Sequence, residues 1–172
     1  MGVFLLGTKT YDNLIRMTQK KHAPKKNDFT PCPVLSEDVL VDYMKSHYRA
    51  IPRLVKLVYF NKEKPSEMTL KFDAANPSML YTIKNNAWVP QDKDYLLDTL
   101  VLEIWSQLYN VFVKIDEVSF KENLVCEETF QRIEAFMDEF RDFCDRGPNA
   151  SWNDQKKNVY SLIVVLSKKL RP

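Results

Sequence analysis

Two histidines, three cysteines and three glycines are the scarce residues from which this 172-residue chain would have to assemble nucleophiles, metal ligands or phosphate cradles. His22 falls in a lysine-rich stretch and His47 near a helix end, and neither has a Cys or carboxylate at the spacing of a metal site. Cys32, Cys126 and Cys144 form no CxxC pair, so they read as reduced thiols inside a cell. Three glycines build neither a GxGxxG, a GxxxxGK followed by Ser or Thr, nor a GxSxG. No metal and no cofactor are expected, and the balance is against an enzyme. Asp138, Glu139, Asp142 and Asp145 do share one helix, where two-metal chemistry is conceivable. They alternate with Phe136, Phe140 and Phe143 at helical spacing, the pattern of a solvated face beside a buried one. A small metal-dependent DNA-processing enzyme stays as the alternative, because carboxylates distant in sequence can converge in three dimensions.

The remaining chemistry is that of binding. Lys20, Lys21, Lys25 and Lys26 can neutralise phosphates, and Arg49, Arg53 and Lys56 extend the patch if their helix exposes them. The competing reading is a solvated linker, favoured by a net charge of only +2. That small total hides an uneven distribution. Residues 1–60 carry ten Lys and Arg against five Asp and Glu, residues 61–130 seven against twelve, and residues 131–172 eight against six. Acidic residues Asp116, Glu117, Glu122, Glu127 and Glu128 read as a soluble connector, and the Asn149-Ala150-Ser151 sequon as chance. Aromatic side chains beside basic ones can stack unpaired bases. Trp88, with Tyr81, Lys71 and Lys84 near in sequence, is the best such group, although sheet packing explains it too. Trp105 and Trp152 sit on or beside amphipathic helices and read as core.

The elements that position these residues follow from periodicity. Composition, 45% hydrophobic and 28% charged, suits one domain with its own core. No apolar run approaches the roughly 18 residues of a membrane span, and Val3 to Leu6 is too short for a signal-peptide core. Residues 1–35 read as a basic, Pro-containing N-terminal segment and 36–172 as one helical domain. Ser36 caps a helix carrying Val39, Leu40, Tyr43 and Met44 that ends near His47, and Pro52 opens a second with Leu54, Val55, Leu57, Val58 and Phe60. A three-stranded antiparallel meander follows, with strands at Met68–Phe72, Leu80–Ile83 and Ala87–Val89, a tight turn at Lys84-Asn85-Asn86 and a stop at Pro90. Asp92 and Asp94 then precede a long helix through Phe112, a second helix runs from Glu127 to a stop at Gly147-Pro148, and a last one follows Ser151 to Asp154. The expected class is α+β, predominantly helical, with the small meander between helix pairs.

The run from Ile51 to Glu67, Ile-Pro-Arg-Leu-Val-Lys-Leu-Val-Tyr-Phe-Asn-Lys-Glu-Lys-Pro-Ser-Glu, resembles the signature phrase of an uncharacterised C-terminal domain in proteins of nucleocytoplasmic large DNA viruses, the giant viruses. In that family the phrase precedes a short Tyr-containing strand, a strand ending in Lys-Trp and a long helix. Tyr81 to Ile83, Asn85 to Val89 and Lys93 onward take those places here, so the resemblance spans roughly residues 36–170. Lys64 stands where the family has a His before the Pro. The family domain commonly follows a zinc finger of two cysteines and two histidines. Residues before Ser36 contain one Cys and one His, so that DNA-binding front end does not carry over. The lack of catalytic constellations, together with the resemblance, points to a non-enzymatic viral or virus-derived module, acting in protein assembly or as an accessory to DNA transactions. The expected associations are a protein partner, DNA, a place as a structural virion component, or a homo-oligomer through the last, Lys-rich helix; the short apolar runs place the chain inside a cell and away from membranes, in the host cytoplasm, nucleus or virion if it is viral.

Overall fold

The computed structural model describes residues 32–60, 68–115, 118 and 126–169. Helix α1 (Glu37–Met44) leads through a 3-10 turn (His47–Arg49) into α2 (Ala50–Tyr59). Strands β1 (Leu70–Phe72), β2 (Met79–Lys84) and β3 (Ala87–Asp92) follow, then α3 (Lys93–Lys114), α4 (Glu127–Arg146) and α5 (Ala150–Lys169). The class is α+β and predominantly helical.

Local chemistry explains most boundaries. The Ser36 hydroxyl accepts from Val39 N, so α1 begins at the residue after it. It stops at Met44 rather than near His47, where a left-handed φ of 39° is one through which an α-helix cannot continue. Asp92 caps α3 by accepting from Tyr95 N at 2.9 Å. Gly147, at φ 91°, ends α4 and its N–H returns to the Phe143 carbonyl at 2.8 Å. The cap of α5 is Asn149, whose side-chain oxygen accepts from Trp152 N at 2.9 Å; Ser151, expected ahead of the helix, lies inside it.

The sheet runs in the order β1-β2-β3, antiparallel throughout. Asn85 and Asn86 both take positive φ, 49° and 61°, the type I′ geometry whose twist suits a two-residue hairpin. From that turn Lys84 pairs with Ala87, and the register continues to Met79 with Asp92. Pro90 therefore does not close the meander but lies within β3, opposite Tyr81. The Lys93 N–H donates to Ser78 O, so alternate residues of β3 face β2 with their backbone groups and Pro90 falls in the outward set. Its missing N–H costs the ladder nothing there and blunts the open edge. β1 starts at Leu70, since Thr69 N donates to the Tyr59 carbonyl instead of to a strand.

α3 is the central strut. Twelve of its 22 residues are buried, and α1, α2, α4, α5 and the sheet all pack on it. A helix that is apolar on nearly every side can be stable only when surrounded. An aromatic seam locks its C-terminal half to α4: Trp105 stacks on Phe136 at 4.7 Å and tilts against Phe140 at 5.2 Å. Phe140 continues to Phe143, and Phe143 stacks on Trp152 of α5 at 4.0 Å and 7°. Tyr48 extends the seam from Phe136 into the 3-10 turn at 5.2 Å. Among the described residues a charged pair breaks this apolar interior: Lys156 Nζ of α5 lies 2.7 Å from Asp98 Oδ1 of α3, with the side chains 15% and 3% exposed. Removing one partner from such a pair strands a charge, whereas replacing both by apolar groups does not. Lys156→Met is expected to cost about 3 to 5 kcal/mol in urea unfolding, while the double variant Asp98→Leu/Lys156→Met recovers most of that loss. Equal losses in the single and double variants would show that the pair contributes nothing as a pair.

Candidate functional site

Most polar groups that sequence offers for catalysis are consumed in holding elements together. Glu139 accepts from the Tyr48 hydroxyl at 3.1 Å and from the Ser151 hydroxyl, and its backbone carbonyl accepts from Asn149 Nδ2 at 3.0 Å. Asn149 Nδ2 also donates to Asp142, and Gln155 Nε2 donates to the Tyr48 carbonyl at 3.0 Å. This polar joint ties the 3-10 turn to α4 and α5 at the end of the aromatic seam. Asp138 pairs with Arg141 and Asp142 with Arg146, both along α4. Of the four carboxylates singled out on α4, Asp138, Glu139 and Asp142 thus each have a different set of partners. Among the described residues no three His, Cys, Asp or Glu side chains gather as a metal-binding set.

A second joint holds the chain ahead of α1. Cys32 N donates to Glu103 Oε2 at 2.7 Å, Leu35 N donates to Gln107 Oε1 at 2.9 Å, and Gln107 Nε2 donates to the Pro33 carbonyl at 3.1 Å. Glu103 and Gln107 lie one turn apart on α3, so residues 32–35, read as the end of the N-terminal segment, run along that helix. Cys32 is buried there, which pushes its thiol up to about 11 with the nearby Glu103 adding to the shift. Burial likewise raises the Glu103 carboxyl, against the opposing Cys32 N–H bond.

The three cysteines differ in burial and in the acidity of their thiols. Cys144 is pushed up to about 12 by burial and by Asp145. Cys126 is exposed at the start of α4, and hydrogen bonding from Thr129, through its side chain and then its backbone, holds its thiol below the ordinary value. Iodoacetamide at pH 8 should therefore alkylate Cys126 well ahead of the other two, and Thr129→Ala should slow it; uniform labelling by peptide mass mapping would contradict this.

His47 combines a left-handed backbone with a buried Nδ1 that has no hydrogen-bond partner among the described residues. Burial, then Arg132 and Arg49, hold its pKa below 6.5. The neutral ring is thus the form the fold prefers, so its contribution is complete above pH 6.5 and is lost as pH falls below that toward the lowered value. Melting curves should show wild type losing more stability between pH 7 and 5.5 than His47→Asn, since Asn tolerates the same φ and does not titrate. Parallel losses would remove His47 from the acid response.

Of the basic residues selected for binding, Lys20, Lys21, Lys25 and Lys26 lie outside the described residues. The structure brings the other three together. Arg49, Arg53 and Lys56 follow at intervals of four and three, so they share one stripe at the junction of the 3-10 turn and α2. Arg49 and Arg53 are exposed and Lys56 is half-buried. The Arg53 guanidinium donates to the Ser46 hydroxyl and lies 5.0 Å from the Tyr43 ring centroid.

The sheet gathers a second group. Because side chains alternate along a strand, Leu70, Leu80 and Thr82 turn to the core while Lys71, Tyr81, Ile83 and Trp88 share the outer face. Lys71 Nζ lies 4.4 Å from the Trp88 ring centroid and 5.7 Å from that of Tyr81. Trp105 and Trp152 are core, at 0% and 2% exposure. Lys84 alternates to the other side of β2 and closes the hairpin. Sequence reasoning missed the Glu139 joint and the Glu103–Gln107 strap, whose partners lie far apart in the chain; the only available signal was that Glu103 and Gln107 interrupt an apolar helix at a four-residue interval.

No protein-family model, no curated protein and no solved structure matches the chain. Among the described residues no helix is long and apolar enough to cross a membrane.

Proposed function

We propose that this chain is a non-enzymatic interaction module, viral or virus-derived, that serves nucleic-acid transactions by holding a phosphate backbone on its basic N-terminal half. The observation that carries this reading is a contrast among the arginines. Arg132, Arg141 and Arg146 of α4 each pair with a carboxylate of their own helix. Arg49 and Arg53 have no carboxylate partner among the described residues; Arg53 is held by a hydroxyl and an aromatic ring, which leave its charge intact. Two uncompensated guanidinium groups on one exposed stripe are suited to phosphate oxygens, which they can engage in pairs. Lys56 on the same stripe and Lys20, Lys21, Lys25 and Lys26 earlier in the chain extend the positive field. The likeness to the giant-virus domain supports a viral setting, and the commitment of Glu139, Asp142 and Asp98 to structural partners supports a binding rather than a catalytic role.

Fluorescence anisotropy with labelled DNA tests this. Wild type should bind with an affinity that falls steeply as salt rises, and Arg49→Ala/Arg53→Ala should lower the slope of log affinity against log salt by about 2, one for each phosphate contact removed. Both substitutions are at exposed positions, so the melting temperature should hold. An unchanged slope would remove the stripe from the site, and failure to bind any nucleic acid at low salt would overturn the reading.

A further inference from the structure

We infer that the outer face of the meander is a stacking platform for unpaired bases, so that the preferred ligand is a single strand. This rests on the nucleic-acid reading above but on different residues. Tyr81 and Trp88 are diagonal neighbours on β2 and β3, and both are half-buried on the face turned away from the helices. Neighbouring aromatic rings of that kind receive successive bases irrespective of sequence, because every base has a π-face. A duplex hides those faces in its own stack, which is why this surface selects a single strand.

Charge on the platform has the matching sign. Lys71 places its ammonium over both rings, where it is positioned to move to a phosphate beside a stacked base. The flanking carboxylates are directed elsewhere: Asp92 accepts from Tyr95 N at the start of α3, and Asp73 accepts from Ala75 N in its own turn. At the hairpin tip Asn85 and Asn86 are exposed, and their amides can pair with base edges. Pro90, opposite Tyr81, withholds a backbone donor from the sheet edge, so the face rather than the edge is what β3 offers a partner.

The tryptophans make the test direct, since Trp105 and Trp152 are buried and Trp88 is the one within reach of a ligand. An unlabelled oligo(dT) strand titrated into the full chain should quench the Trp88 fluorescence, and a blunt duplex of equal length should bind more weakly without that quenching. Trp88→Ala should weaken single-strand binding about tenfold or more, and Trp88→Phe, which keeps an aromatic face, should restore most of it. Arg49→Ala/Arg53→Ala should weaken binding yet leave the quenching at saturation. Binding without quenching and without effect of Trp88→Ala would overturn the platform while leaving the phosphate-binding stripe standing. Absence of any nucleic-acid binding would overturn both. Self-association or protein capture that Trp88→Ala abolishes, with no oligonucleotide response, would reassign the face to a protein and likewise overturn the inference.

Discussion

The stack of aromatic rings between α3 and α4 is the interaction on which the rest of the structure depends. Trp105 is fully buried and lies nearly parallel to Phe136, while Phe140 closes its other contact and passes the seam to Phe143 and Trp152. Each such pair adds about 0.5 to 1.5 kcal/mol beyond the burial of its area. More important is the geometry: rings that stack have few alternative arrangements, so the seam fixes the placement of three helices and, through Tyr48, the 3-10 turn. Arg49 is the last residue of that turn and Arg53 lies one helical turn later. The position of the basic stripe is therefore set by an apolar contact on the opposite side of the same segment.

The polar joints serve that framework. Glu139 and Asn149 close the corner between α4 and α5, Glu103 and Gln107 strap residues 32–35 onto α3, and Lys156 with Asp98 sets one helix against another inside the core. Carboxylates bound in this way are poor general bases or metal ligands, because their lone pairs already have partners. Among the described residues, the start of α2 offers two guanidinium groups without a carboxylate partner, and the outer face of the sheet offers half-buried aromatic rings beside Lys71. Both surfaces are assembled from short stretches of the chain, residues 49–56 and 71–88.

That locality explains what could be read from the chain. Helices were legible where apolar residues recur at three and four, as in Phe130, Ile133, Phe136, Met137 and Phe140, all of which are buried. The hairpin was legible because Asn85-Asn86 supplies the left-handed pair a two-residue turn demands. Trp88, Tyr81 and Lys71 were grouped from proximity in sequence, and the register of the sheet put them on one face. Elements fixed by distant partners were not legible. Pro90 suggested a stop because its acceptability depends on which way its nitrogen faces, which the register alone determines. Asn149 looked like part of a chance sequon, yet its side chain caps α5 and reaches back to α4. The first helix reads as ending near His47, yet it stops at Met44, and the left-handed φ of His47 belongs to the junction that Tyr48 anchors.

The central claim is that one sheet face and one arginine stripe, rather than a catalytic pocket, meet a nucleic acid. Backbone amide chemical-shift mapping of the full chain during titration with an oligo(dT) strand tests it most directly. The account predicts perturbations concentrated at residues 70–72, 79–92 and 46–56, with the buried centre of α3 unmoved. Perturbations confined to the exposed acidic face of α4, or none at all at low salt, would contradict it.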